Sequence, residues 1–332
     1  MSDITMIPAA EFRLEAVPAG TSQRLHLHVA YSADGSPLLL PLLCVRGIKP
    51  GPTLVATGAV HGDEFEGPLA IQKVFAELDP AQMSGAFVGL PVVNPPALAA
   101  GTRESGADHL NLARIFPGSA TGLPSERIAA ALTRLFGLAD LLLDIHSAGN
   151  AFKIKEFAGY VLGNGDLAKM QRQAAIAFGL DLVWGTAPLP GRSLSAARDQ
   201  GVPAIYVEMQ GEGRAPADRL RRTEQGVRQV LGYLGITSDY FPDQQPEFFK
   251  ETAAEGSGHL QVQLLAPESG LFVAEVEVWK PVTAGQQLGV LRHLDGRQLA
   301  AITAPVSGRV LFIRTFPRVQ CGETLGFVLD QQ

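Results

Sequence analysis

The chain is poor in the residues that mark most special classes of protein. Of its 332 residues only two are cysteine, Cys44 and Cys321. They lie far apart in strand-like runs, so a disulfide framework is excluded and the cytoplasm is the expected compartment. Charged residues amount to 18% against 46% apolar, which excludes a disordered chain and describes a globular one. Long hydrophobic runs are missing: the longest, Leu38 to Val45, is broken by Pro41 and is too short to span a bilayer. The first residues (MSDITMIPAAEF) carry acidic side chains and lack the apolar stretch of a signal peptide. No basic run stands out either, and with a net charge of −6 nucleic acid is not an expected partner. A chain of 332 residues exceeds one ordinary core, so two domains are expected.

What is present is organised around Val60-His61-Gly62-Asp63-Glu64. The run before it, TLVATGAV, is short, apolar and rich in β-formers, as in a strand buried on both faces. Helical periodicity takes over at about Glu66, with Leu69, Ile71, Val74, Phe75 and Leu78 on one face. His61 therefore falls at the carboxyl end of a strand and Glu64 in the first turn of a helix, a corner where an imidazole and a carboxylate converge on a metal. Such a pair is weak evidence alone; its strand-to-helix corner, where open α/β sheets place ligands, strengthens it.

Other polar residues fall in similar places. Asp140 to His146 reads as an apolar strand with His146 at its carboxyl end, and Asp144 lies two residues earlier on the same face. Asp144 either orients a ligating imidazole or is an ordinary buried, hydrogen-bonded carboxylate. Pro203 to Met209 is another buried strand, with Glu208 near its end. Between strands, Asn94-Pro95-Pro96 is expected to stop both strand and helix, and a long functional loop over 97–123 follows, holding Arg103, Asn111 and Arg114. A Gly- and Ser-rich stretch at 191–198 ends in Arg198. His26 and His28 share a strand face and could chelate, although a plain polar face explains them better without a third ligand nearby. Alternating strands and helices predict an α/β fold, a mixed, mostly parallel sheet covered by helices, over residues 1–245. Residues 236–258 read as a connector, and the short strands from Leu260 onward as a small C-terminal all-β, barrel-like domain, 246–332.

His61, Glu64 and His146 thus form a candidate zinc seat with a fourth position open for water, as hydrolytic sites require. Glu208 is the natural base, and an arginine of the 97–123 loop could stabilise an oxyanion.

In order along the chain, Gly58-Ala59-Val60-His61-Gly62-Asp63-Glu64, Asn94-Pro95, Gly101-Thr102-Arg103, Arg114-Ile115-Phe116-Pro117-Gly118, Asp144-Ile145-His146 and Val207-Glu208 resemble the succinylglutamate desuccinylase/aspartoacylase family, a branch of the zinc carboxypeptidase-like hydrolases. The resemblance implies one zinc per chain on His61, Glu64 and His146, and Glu208 as general base. It implies that Arg103 polarises the scissile carbonyl, that Arg114 grips a substrate carboxylate, and that the reaction is hydrolysis of a small N-acyl amino acid or related amide by metal-activated water. One departure stands out. The family's run Asp-x-Asn-Arg is here Asn111-Leu112-Ala113-Arg114, and alanine cannot donate the hydrogen bond that asparagine would. Arg198 or Ser195 is a candidate for the missing contact, and Asn111, in place of the family's Asp, is counted with Arg114 and Arg198 as substrate-binding.

The C-terminal runs Val282–Gly289, Ala304–Val310 and Cys321–Leu325 resemble a biotinyl/lipoyl-type barrel. The turn at 293–297 that would bear a carrier lysine has none, so capping of the site, with a surface available for homo-oligomers, fits better than carrier function. The expected partner is a small, anionic substrate, with neither nucleic acid nor membrane. The rivals are an esterase or carboxypeptidase on the same zinc site, and a non-catalytic binding protein on the same fold.

Overall fold

A computed structural model describes residues 5–238 and 245–330. Strands β1 (Thr5–Pro8), β2 (Thr21–Tyr31), β3 (Pro37–Arg46) and β4 (Lys49–Gly58) lead to helix α1 (Glu66–Glu77). They are followed by β5 (Ser84–Leu90), α2 (Pro95–Ala100), α3 (Pro124–Phe136), β6 (Leu141–Ser147), β7 (Phe152–Ile154) and β8 (Phe157–Val161). Then come α4 (Gly165–Ala177), β9 (Leu182–Thr186), α5 (Ser193–Arg198), β10 (Ala204–Met209), α6 (Ala217–Tyr233) and β11 (Phe248–Thr252). All these strands except β7 form one ten-stranded sheet in the order β1-β2-β3-β5-β4-β6-β10-β8-β9-β11. Only the pairs β2·β3, β3·β5 and β10·β8 are antiparallel, so the sheet is mixed and mostly parallel.

The strands alternate, and each parity feeds one core. Leu54, Ala56, Leu143, Ile145, Ile205 and Val207 face a layer made by Ile71, Val74, Ala174, Val227 and Val230 of α1, α4 and α6. Val55, Leu142 and Ala204 face the other way, against Ile128 and Leu132 of α3, Leu194 and Ala197 of α5, and Leu311, Phe312 and Leu329 of the C-terminal region. Burying each such side chain contributes roughly 1.5–3 kcal/mol, which is why these apolar runs hold their register. This second face also carries the polar residues described below.

Two segments differ from the sequence expectation. Pro95 and Pro96 stop the strand but open a helix, α2, with the Asn94 side chain accepting from Ala97 N. Proline suits the first helical turn because its missing N–H has no partner to lose there. Within the expected connector, Phe248–Thr252 pairs in parallel with β9 and forms an edge of the large sheet.

The remaining strands, β12 (Leu264–Leu265), β13 (Gly270–Ala274), β14 (Pro281–Val282), β15 (Gln287–Arg292), β16 (Gln298–Thr303), β17 (Gly308–Arg314), β18 (Arg318–Val319) and β19 (Thr324–Asp330), make two small sheets. Phe272, Leu288, Leu291, Val310, Leu325 and Val328 fill the space between them. β7 pairs antiparallel with β17, which ties this region to the chain just after β6. Among the described residues no helix is long and apolar enough to cross a membrane.

Candidate metal centre and substrate pocket

β4, β6 and β10 are parallel neighbours, so their carboxyl ends come out side by side. Glu208 is the register partner of His146, and Thr57 and Tyr206 are register partners of Asp144. Strand pleating therefore puts Thr57, Asp144, His146, Tyr206 and Glu208 on one face. The chain turns sharply after β4 through Ala59, a non-glycine residue with φ of 49°, and brings His61 and Glu64 to the same edge. Gly62 lets that corner dock against α2: its N–H donates to Thr102 O at 2.8 Å, and a Cβ there would lie 1.9 Å from Ala97 O. Arg103 follows directly from that contact.

His61, Glu64 and His146 are buried and offer ligand atoms within 4.8 Å of one another, a group that could hold a metal ion. His61 Nδ1 lies 2.6 Å from one Glu64 oxygen and His146 Nδ1 lies 3.1 Å from the other. The far nitrogens fix the tautomers. Asn111 Oδ1 accepts from Ala113 N–H at 3.0 Å, so the same oxygen 3.3 Å from His61 Nε2 requires that nitrogen to donate. His146 Nε2 lies 3.1 Å from the Asp144 carboxylate, which also accepts from Thr57 at 2.6 Å and from the Ser193 hydroxyl. Of the two expectations for Asp144, the orienting carboxylate is the one the geometry matches.

With both Nε2 atoms donating, both Nδ1 atoms face the Glu64 carboxylate. An acceptor aimed at an acceptor at such distances needs a proton or a metal ion between the two. Burial, helped by the Arg103 charge, pulls His61 down to about 4, so it stays neutral at physiological pH. Burial also opposes charge on His146, but the carboxylates of Asp144 and Glu64 outweigh it and raise that group. A proton on His146 Nδ1 and a metal ion are alternative occupants of one place. The residues present thus fit a divalent ion, and a His₂Glu donor set suits zinc.

Around this cluster opens a pocket. Arg103 Nη1 stands 3.4 Å from His61 Nδ1 and 3.7 Å from Glu64 Oε1. Glu208 is open to the pocket on one side and enclosed by protein elsewhere; that burial pushes its carboxyl up to about 7, with Glu64 adding to the rise and His146 and the arginines opposing it. Arg114 donates to Ala113 O at 2.9 Å and to Gln261 Oε1 at 3.3 Å. Burial, with Arg192 and Arg103 nearby, pulls Arg114 down to about 10, which leaves it charged at neutral pH.

Asn111 is engaged with the His61 ring and the Ala113 N–H and does not line the pocket. Arg198 pairs with its neighbour Asp199 at 2.9 Å on the surface, outside the lining. The pocket receives Arg192 instead, which donates to Gly258 O at 3.1 Å. Arg192 precedes α5 and Arg198 ends it; six positions on a helix rotate by about 240°, so the two point apart. The adjacent Arg198-Asp199 pair was the available signal for a solvated helix end. Ala113 lines the pocket beside Arg114, leaving a space with no donor. His26 and His28 stay on β2, in no metal-holding group among the described residues.

The profile of the succinylglutamate desuccinylase/aspartoacylase catalytic domain matches residues 50–234, more than half of the chain. The N-alpha-acetyl-L-2,4-diaminobutyric acid deacetylase of Halomonas elongata is 31% identical over 302 residues, covering 88% of this chain and 86% of the relative. A succinylglutamate desuccinylase/aspartoacylase from Rhodobacter sphaeroides superposes with a TM-score of 0.83 at 25% identity, over 95% of this chain and 98% of that one. The product-bound ectoine utilization protein EutE (DoeB) from Ruegeria pomeroyi superposes with a TM-score of 0.82 at 26% identity, over 94% and 97% of the two chains. This chain belongs to the succinylglutamate desuccinylase/aspartoacylase family of deacylases.

Proposed function

We propose that the protein is a zinc-dependent deacylase that hydrolyses the amide bond of a small, anionic N-acyl amino acid. The observation that carries this is the pair of histidine Nδ1 atoms turned on the Glu64 carboxylate, with Glu208 beside His146 in strand register. Zinc on His61, Glu64 and His146, one ion per chain, supplies Lewis acidity and a water whose pKa falls towards 7.

The chain's own groups do the rest. Arg114 and Arg192 hold the substrate carboxylate with charge-assisted hydrogen bonds. Arg103 donates to the scissile carbonyl oxygen, where negative charge develops in the transition state. Glu208 takes the proton of the attacking water and returns it to the leaving nitrogen. Asn111 and Asp144 hold the two imidazoles in the tautomers that leave Nδ1 free. Residues 246–332, as a separate β domain, cap the pocket through Gly258, Leu260 and Gln261 rather than carry a cofactor.

The test is metal content and hydrolysis in parallel. Protein purified without chelator is expected to hold about one zinc per chain and His146→Ala none. Hydrolysis of N-acyl amino acids should vanish on chelation and return with zinc. Full activity in the metal-free protein would overturn the proposal.

A further inference from the structure

Tyr206 is a buried polar residue that the proposed reaction leaves unused. It sits two residues before Glu208 on the same strand face, about 7 Å further from the metal cluster along β10. Its ring leans across β8 over Gly159, where a Cβ would lie 2.1 Å from the ring, and it meets Phe157 edge-on at 5.6 Å. Only 7% of the residue is exposed, and what is exposed lines the pocket. Among the described residues the phenol hydroxyl meets no hydrogen-bond partner, whereas the pocket's serine hydroxyls donate within the protein, Ser193 to Asp144 and Ser195 to Leu189 O. The hydroxyl is open to the pocket, so a group held there can accept from it.

The surroundings say what that group is. Val161, Leu189, Leu194 and Thr186 line the pocket together with Tyr206. Two charged groups act on the phenol, the Arg192 guanidinium and the Glu208 carboxylate, and of these Glu208 is taken up by its role as base. The lobe around Tyr206 thus sets apolar side chains beside neutral hydroxyls, with the Arg192 charge within reach.

We propose that Tyr206 is a specificity-determining residue of the deacylase: its hydroxyl donates to an oxygen acceptor on the part of the substrate that extends over β10, away from the scissile amide. The lobe thus selects substrates ending in an uncharged or anionic oxygen group over isosteres ending in a methyl group or an ammonium. This rests on the deacylase function proposed above, and it distinguishes the chain from a relative named for an amino acid with a second amine.

The experiment compares wild type and Tyr206→Phe on N-acetylglutamine, N-acetylnorleucine and N-acetylornithine, and on the same three end groups placed on the acyl chain of N-acylglycines. One neutral hydrogen bond predicts a fall of about three- to tenfold in kcat/KM for the oxygen-ended compound of one series. The methyl- and ammonium-ended compounds should change less than twofold, so the wild-type preference collapses. Melting temperature and zinc content should match wild type, since the hydroxyl supports nothing in the protein. An unchanged preference in both series overturns the proposal, as does an equal loss on all six compounds. If neither protein hydrolyses any compound, the deacylase function has failed, and calorimetric titration of N-acetylglutamine then decides the subsite. Binding weakened by Tyr206→Phe supports it; equal binding, or none to either protein, overturns it.

Discussion

The two ends of the pocket are built on opposite terms. At the metal end each ring nitrogen of His61 and His146 has a fixed neighbour, and those neighbours are themselves held, Asn111 by a backbone N–H and Asp144 by two hydroxyls. At the other end Arg114 and Arg192 each donate to a backbone carbonyl but form no ion pair among the described residues, and the Tyr206 hydroxyl has no partner. The first end is over-determined and the second is under-satisfied. That contrast is what divides chemistry from recognition: groups that must keep one geometry are locked by the protein, and groups that must meet a ligand are left for it.

The contrast is broken most severely at Glu208. Glu208→Gln keeps the shape and removes the base, so kcat should fall by about 10²–10⁴, the range of a positioned general base, with zinc content unchanged. In the wild type the base acts as a carboxylate, so activity should fall as pH drops through the pKa of Glu208, which burial raises towards 7 and a bound cation lowers. A pH–rate profile that keeps its acid limb in Glu208→Gln would assign that limb elsewhere.

Next in size is the recognition end. Arg114→Ala removes a charged donor from a partly buried site, and charge-assisted bonds of about 1.5–3 kcal/mol correspond to a loss of roughly 10–100-fold in kcat/KM. The loss should fall on KM, because the metal end is untouched. Asp144→Asn tests the locked end in the same range: zinc affinity, measured by competition with a chromogenic chelator, should weaken about 10–100-fold. Both variants changing the same parameter would erase the distinction between the two ends.

How far these ends could be seen in the sequence differs for the same reason. His61, His146 and Glu208 sit at ends of strands whose apolar runs set register, and register dictates which side chains share an edge. Glu64 follows because a strand-to-helix corner has little conformational choice. Asn111 and Arg192 lie in loops, where no periodicity says which way a side chain points; loop length marked 97–123 as functional without orienting any residue in it. Tyr206 read as one more apolar member of a strand, because an unsatisfied hydroxyl is visible only once its surroundings are known. β11 escaped notice because Phe248–Thr252 is a short edge strand with no fully buried residue, so it lacks the apolar signature of the strands inside the sheet.

Gly62 joins the two ends and gives a smaller, structural effect. A methyl at Gly62 would meet the backbone of Ala97 at 1.9–2.0 Å, which no rotamer change can relieve. Gly62→Ala should lower stability by about 1–3 kcal/mol, read as a reduced melting temperature. It should also push the segment carrying Arg103 away from His61.

The smallest effect belongs to Gln261. Its side chain reaches from the segment just before β12 to accept one N–H of Arg114 at 3.3 Å, and its backbone carbonyl is held by Thr324 of β19 at 2.7 Å. Residue 113, where the family's asparagine would help bind the carboxylate, is alanine, so Gln261 is the side chain that steadies Arg114 from outside. Because the contact is exposed, Gln261→Ala should raise KM only about two- to fivefold and leave kcat and zinc content alone. Gln261→Glu should be worse for an anionic substrate, since a carboxylate beside Arg114 competes with the one it is meant to bind. If KM is unmoved in both variants, the segment before β12 covers the pocket without shaping recognition, and the under-satisfied end then consists of Arg114, Arg192 and Tyr206 alone.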